Sequence, residues 1–565
     1  MENATFVSDP VKATLPRVGP YSPHWALANV VRLGDAKAAD WLFNREYVAG
    51  LGQDDADRYF DVYLSALERT VAAIDGPDLS EAKTFESLAK TLPEVFSRLC
   101  YKCSPACRER LVTALRRIYG SKRRGLFQNV HRFARRLLDS MSVEERTRAV
   151  PLLIEFPVPE QLGDMGKREF VNPLSLVNLP PEVGPEVLGV PDGSVDELLV
   201  RLADRGTDRD WAATSLVWLH EQGKLDGPQS QRLASLLWEG MGASGVPTVP
   251  GFYSFACMRL PRPPGIDPEP RVKEHLRSEI GAKMGSSGLA DVLDELRQST
   301  GEVSWSAADA FELLAQFRAW WDEHKPRLHW DLPMPFGSPA ELTRRTIWRM
   351  VSALAAVLAK GTVVEDRGSK DALRDFISDL TVHGIPALRL ELALTKGGDG
   401  RKQLIDRIAA GMSDSVHDNV VDALLAARFL ATAATDEESR RDFEQVSTKL
   451  AEGVEWRHRP ALVDRLRVAA GLVREHRWFV APVTEASLLR GLACIQGEGS
   501  ERVSGNDGDG VILTRASAAS LAFELFRHYQ KLGVKEPETV RRWQEICGDP
   551  NEFAEVRNAW ATVSA

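Results

Sequence analysis

Residues 338–361 read SPAELTRRTIWRMVSALAAVLAKG, and this stretch decides the fold class. Ser338 is a good helix N-cap. Pro339 takes the first helical position, where its missing N–H costs nothing, and Glu341 completes a Ser-x-x-Glu capping box. Ile347, Met350, Val351, Leu354 and Leu358 then recur at spacings of three and four, lining one face until Gly361 ends the segment. The same pattern predicts a helix over Ala307–His324, with Ala310, Leu313, Leu314, Phe317, Trp320 and Trp321 on a broad apolar stripe. Val420, Leu424, Ala427 and Ala431 mark another, and Leu462, Leu466, Ala469, Ala470 and Val473 a further one. Strand-like alternation is scarce, so the chain is expected to be mainly α.

From about Ser369 to Gly497 the pattern is most regular. Helices of roughly 12 to 18 residues alternate with short turns such as Lys396-Gly397-Gly398-Asp399-Gly400, and pairs recur every ~40 residues. That spacing suits an α-solenoid-like stack of HEAT or armadillo-type hairpins. No consensus repeat can be written, so an irregular helical bundle is the alternative. Proline-rich stretches at Phe156–Gly193, Gly245–Pro270 and Lys325–Pro339 interrupt the tiling, because proline cannot sit inside a helix without losing a hydrogen bond. The last two carry aromatics (Phe252, Tyr253 and Phe255; His329 and Trp330) and read as packed loops. The expected division is an N-terminal helical domain (1–155), a proline-rich connector (156–193), a central helical domain (194–336) and a C-terminal helical-repeat domain (337–565).

The chain has 565 residues, 44% of them hydrophobic and 27% charged, with a net charge of −9. These proportions belong to a globular protein and argue against a polyanion binder as a whole. Met1 to Asp9 carries no basic region followed by an apolar run. Met350–Ala359 is too short to span a membrane, for which about 20 apolar residues are needed. Six cysteines are too few for a disulfide scaffold, which favours reduced thiols and a cytoplasmic setting with no membrane partner.

One segment departs from the acidic average. Lys102 to Arg136 contains Lys102, Arg108, Arg110, Arg116, Arg117, Lys122, Arg123, Arg124, Arg132, Arg135 and Arg136, opposed only by Glu109. Arg116, Arg117, Lys122, Arg123, Arg124, Arg132, Arg135 and Arg136 are the candidate anion- or partner-binding residues, with Phe127 and His131 placed to stack on bases. The competing reading is a helix face whose charges pair with acidic helices such as the one containing Asp54, Asp55 and Asp57.

Other candidates are weaker. Cys100, Cys103 and Cys107 form a CxxCxxxC run which, with His131, has the makings of a four-ligand metal set. Ser104-Pro105 instead reads as a helix start that would place Cys107 inside a new helix. Asp322, His324 and His329 mix carboxylate and imidazole, but flank a proline. Glu475-His476 and His417-Asp418 are adjacent pairs that diverge on a helix. Ser504–Gly510 fails as a calcium loop, since Gly505 and Ala516 fall where ligands belong. The chain lacks GxxxxGK[ST], a strand-bound GxGxxG, GxSxG and HExxH, so no cofactor, metal or catalytic residue is assigned.

Arg209-Asp210-Trp211-Ala212-Ala213, Leu216, Trp218 and Leu219, Leu236-Leu237-Trp238, Gly245-Val246-Pro247, Phe252-Tyr253-Ser254-Phe255-Ala256 and Leu260-Pro261 form a more distinctive pattern. Over Thr147 to Arg277 it resembles the long helical region that follows sirtuin-like NAD-hydrolysing domains in some bacterial anti-phage defence proteins. The resemblance implies a helical sensor or scaffold that recognises a phage component or holds an oligomer. The glycine-rich strand and catalytic histidine of the sirtuin-like domain have no counterpart near Met1, so NAD hydrolysis is not carried over. The expected function is a non-catalytic recognition, scaffold or regulatory subunit with a protein partner. A nucleic-acid-binding accessory protein docking through residues 102–136 is the alternative, and an unrecognised hydrolase the second.

Overall fold

The computed structural model describes residues 51–155, 171–179, 183–204, 209–240, 258–262, 267–284, 289–301, 303–328, 338–360, 367–395, 398–433, 437–454, 461–497, 510–549 and 552–561, with the single positions 27 and 265. Among these there are helices and turns and no strand, as the periodicity predicts. The helices are α1 (Gln53–Asp75), α2 (Leu79–Leu99), α3 (Pro105–Gly120), α4 (Val130–Ser140), α5 (Val143–Ile154), α6 (Ser194–Ala203) and α7 (Arg209–Glu221). They continue with α8 (Gly227–Gly240), α9 (Pro268–Lys283), α10 (Leu289–Ser299), α11 (Ala307–His324), α12 (Pro339–Lys360), α13 (Arg367–Val382), α14 (Leu388–Leu394) and α15 (Gly398–Gly411). Then come α16 (His417–Ala433), α17 (Glu437–Val454), α18 (Leu462–Glu475), α19 (Pro482–Gly497), α20 (Gly510–Leu532), α21 (Glu538–Gly548) and α22 (Ala554–Ala561).

Over 338–360 the N-cap and the apolar face are as read, and Gly361 lies outside the described residues. Ser338 Oγ accepts from Glu341 N at 3.2 Å, and Ile347, Met350, Val351, Leu354 and Leu358 are buried. Glu341 turns its carboxylate to Arg345 one turn on. α11 has the predicted limits, with a full capping box between Ser306 and Asp309.

Packing groups the chain into two units, Met1–Leu225 with Leu492–Ala565, and Asp226–Gly491. The proline-rich boundaries at 155, 193 and 336 therefore do not coincide with the compact units. Proline marks where helices stop, whereas a unit is defined by which apolar faces cover each other.

In the first unit α1 packs on α2, α2 on α4, and α3 on α1 and α5. The C-terminal α22 lies on α4 and ties it down through Asn558 Nδ2, which donates to the carbonyls of Asp139 (3.2 Å) and Met141 (2.8 Å). Phe60, Phe96 and Phe133 form a continuous aromatic contact at the centre.

The second unit is solenoid-like. From α14 to α18 every helix packs on the next and on the next but one, the nearest-neighbour pattern of stacked hairpins. This run falls within the region 369–497 where the sequence is most regular. Close approach here requires glycine: a Cβ on Gly491 of α19 would sit 2.6 Å from Val454 Cγ1 and 2.8 Å from the Val454 carbonyl oxygen. Ala461 enters α18 with φ of 57°, a left-handed conformation unusual for a residue with a side chain. Residues 156–170, 245–257 and 329–337, with the aromatics read there, and residues 504–509 lie outside the described residues.

Candidate functional site

The basic segment is built into the first unit. Ser104 caps α3 as predicted, accepting from Cys107 N, while its own N–H donates to Asp57 at 2.8 Å. Arg108 is fully buried and grips Glu145 of α5 with two hydrogen bonds, of 2.9 and 3.1 Å. Burial pushes the Glu145 carboxyl upward. The Arg108 guanidinium and the Ser142 N-cap outweigh that effect and hold it below the usual carboxylate range.

The candidate anion-binding residues follow suit. Arg116 pairs with Glu155 at 3.7 Å and Arg117 with Glu68 at 2.9 Å. Arg123 donates to the Ile74 carbonyl and the buried Arg124 to that of Tyr119. Arg132 shares the buried Glu94 with Arg98, and Arg136 reaches the Tyr101 hydroxyl at 2.6 Å and Glu555 at 3.8 Å. Lys122 and Arg135 stay exposed and make no ion pair among the described residues. The acidic partners are chiefly Asp61, Glu68, Glu94, Glu145 and Glu155, with Asp57 serving the backbone instead of an arginine. Phe127 is 1% exposed, so the expectation that it stacks on a base is corrected: its ring belongs to the core. His131 is exposed on α4, and partial burial with the neighbouring Arg135 charge lowers its imidazole below 6.5.

Cys100, Cys103 and Cys107 are buried free thiols. Burial pushes Cys103 well above its ordinary value and Cys107 up to about 11, which disfavours the thiolate a metal needs. Among the described residues no histidine, cysteine or carboxylate cluster has the geometry of a metal site. His324 is buried, stacked on Trp320 at 4.2 Å, with Nδ1 2.9 Å from the Trp320 carbonyl. Asp322 pairs with Lys325 and Arg318, and His329 lies outside the described residues. Glu475 accepts from Arg428 of α16 at 2.9 Å.

The arrangement that sequence spacing missed runs along one set of helix ends in the second unit. Asp379 of α13 takes Lys325 at 2.8 Å and the Trp321 indole N–H at 2.9 Å, and lies 3.4 Å from His383. Gly384, next to His383, offers its carbonyl to Arg344 of α12 at 3.5 Å, and Arg344 pairs with Asp418 of α16 at 2.8 Å. Asp418 neighbours His417, whose other ring nitrogen is 3.6 Å from Asp464 of α18. The five helices are thus linked by side-chain pairs and, between α13 and α12, by the Gly384 carbonyl. The His417 contact and the Arg344 charge hold the Asp418 carboxyl low, against burial. Leu342, Val382 and Val416 stand beside these residues in sequence and are 52%, 78% and 44% exposed.

The same helices hold a second, buried polar knot. Arg389 of α14 and Asp422 of α16 are 3% and 0% exposed and meet at 2.6 Å. Asp422 also accepts from Leu388 N, while Arg389 donates to Ser352 of α12 and lies over the Trp348 ring. The sequence signal for both networks is faint, since each link between helices joins residues more than thirty positions apart.

No protein-family model matches the chain, and no curated protein does. Among solved structures the chain is similar to importin beta in a polyethylene glycol condition, with 12% identity and a TM-score of 0.40 over 95% of this chain and 71% of that one. It is also similar to importin beta in an ammonium sulfate condition, with 11% identity and a TM-score of 0.30 over 96% of this chain and 74% of that one.

Proposed function

We propose that the chain is a recognition or scaffold subunit that binds a protein partner through its helix ends. The observation that carries this reading is the exposure of Leu342, Val382 and Val416, each close in sequence to a residue of the network that contains the Arg344–Asp418 pair. A stack of hairpins has no interior cavity of its own and works by offering extended surface, so exposed apolar groups at its helix ends are where binding energy is available. Commitment of most of the 102–136 arginines to partners within the chain favours these residues over the basic segment as the docking surface. The setting we propose, bacterial anti-phage defence, rests on the resemblance of Thr147–Arg277 alone.

The test is affinity purification from native cells, with and without phage challenge. A protein should co-purify after nuclease treatment, and Leu342→Ser with Val416→Ser should lose it while retaining the helical circular-dichroism spectrum. A chain that runs as a free monomer in native extract under both conditions sinks the proposal.

A further inference from the structure

His417 opens α16 and stands between two carboxylates carried by different helices. Its Nδ1 lies 3.6 Å from Asp418 Oδ1, and its Nε2 lies 3.6 Å from Asp464 Oδ2 in the first turn of α18. An imidazolium carries a proton on each ring nitrogen, so both carboxylates face a donor. A neutral imidazole carries one proton, and the lone pair of the other nitrogen then confronts a carboxylate oxygen. We infer that His417 is an acid-tightened staple that holds the first turn of α18 to the start of α16 when protonated and releases Asp464 when neutral.

The surrounding charges support a single role for this ring. On its own element and turn stand Asp418 and Asp414, and Asp414 is engaged with Val416 N and Asn419. From α12 comes Arg344, taken by Asp418. From α18 come Asp464 and Arg465, the latter fully buried and donating to the Met412 carbonyl. The charges that act on the ring are those of Asp418 and Asp464. Contact with Asp418, aided by Asp464, raises the imidazole above 6.5 in spite of partial burial. A raised value means the contribution is complete below 6.5 and is lost as pH climbs through the raised value. The side chain is 60% exposed, so proton exchange with solvent is unimpeded.

The experiment follows the full chain with histidine-selective 13C labels, the His417 resonance being identified by its loss in His417→Gln. In the wild type His417 should titrate above an ordinary histidine, and in Asp464→Asn its midpoint should fall. Hydrogen exchange of residues 462–468, corrected for the intrinsic pH dependence, should be about two- to five-fold slower below the midpoint than above it, as an exposed ion pair warrants. That difference should vanish in His417→Gln. An unchanged midpoint in Asp464→Asn, or the wild-type exchange profile in His417→Gln, overturns the inference. The wild type alone gives a further arm: raising salt to about 1 M should lower the His417 midpoint, since screening acts within a few ångströms at that strength, and a midpoint that stays put overturns it equally.

Discussion

Arg108 and Glu145 meet in the core of the first unit, two nitrogens of the guanidinium 2.9 and 3.1 Å from the two carboxylate oxygens, with both side chains almost fully buried. Removing either partner strands a charge that water cannot reach. Glu145→Ala should therefore cost about 3–5 kcal/mol in urea unfolding, part of it from the lost capping box at Ser142. Replacing both with apolar residues should recover most of the loss, and a double mutant no better than Glu145→Ala would refute the pairing.

Lys102 predicts the opposite sign. Its ammonium is 7% exposed, lies over the Phe553 ring at 4.4 Å, and is lowered by burial from 10.5 to about 8. Because the folded value is depressed, the charged form destabilises the fold below pH 8 by about 3 kcal/mol at 1.4 kcal/mol per unit. Lys102→Met should stabilise the protein by roughly that amount at pH 7, and the advantage should shrink as pH rises from 8 towards 10.5. Urea midpoints of both proteins across this range decide it.

Two glycine substitutions should differ in sign. Gly491→Ala drives a methyl group against the Val454 backbone and should cost about 1–3 kcal/mol. Gly281, inside α9, has open space around its Cβ position, so Gly281→Ala should gain about 0.5–1 kcal/mol. Thermal unfolding of the pair provides the check.

Within the basic segment, packing and surface roles can be separated. Arg124→Glu should lower the melting temperature by several degrees, since Arg124 is 9% exposed and bonded to Tyr119. Lys122→Glu and Arg135→Glu should change stability by less than about 0.5 kcal/mol, as both side chains are exposed.

How far the chain could be read in advance depends on distance along it. Caps and apolar stripes act over three or four residues, so Ser338, Ser104 and the faces of α11, α12, α16 and α18 were visible at once. Composition also exposed the Lys102–Arg136 run, but a list of arginines cannot say whether Glu68, Glu94 and Glu145 fold back to meet them. His417-Asp418 looked unpromising because adjacent residues diverge on a helix. Its meaning came from Arg344 and Asp464, dozens of residues away, and only packing brings those together. Proline content reports local breaks and is blind to a contact such as Asn558 with Asp139.

That last contact has a consequence for synthesis. Asn558 and Asp139 are 419 positions apart, and Met141 is 417 from Asn558. A ribosome finishes residues 226–491 before α20–α22 emerge, so the solenoid-like unit can fold in place while α4 still waits for α22. During that interval the surface of α4 destined for α22 is uncovered, and a chaperone or a protease would find it there first. Premature termination before α22 would leave that surface of α4 without its cover, a natural point for quality control to act.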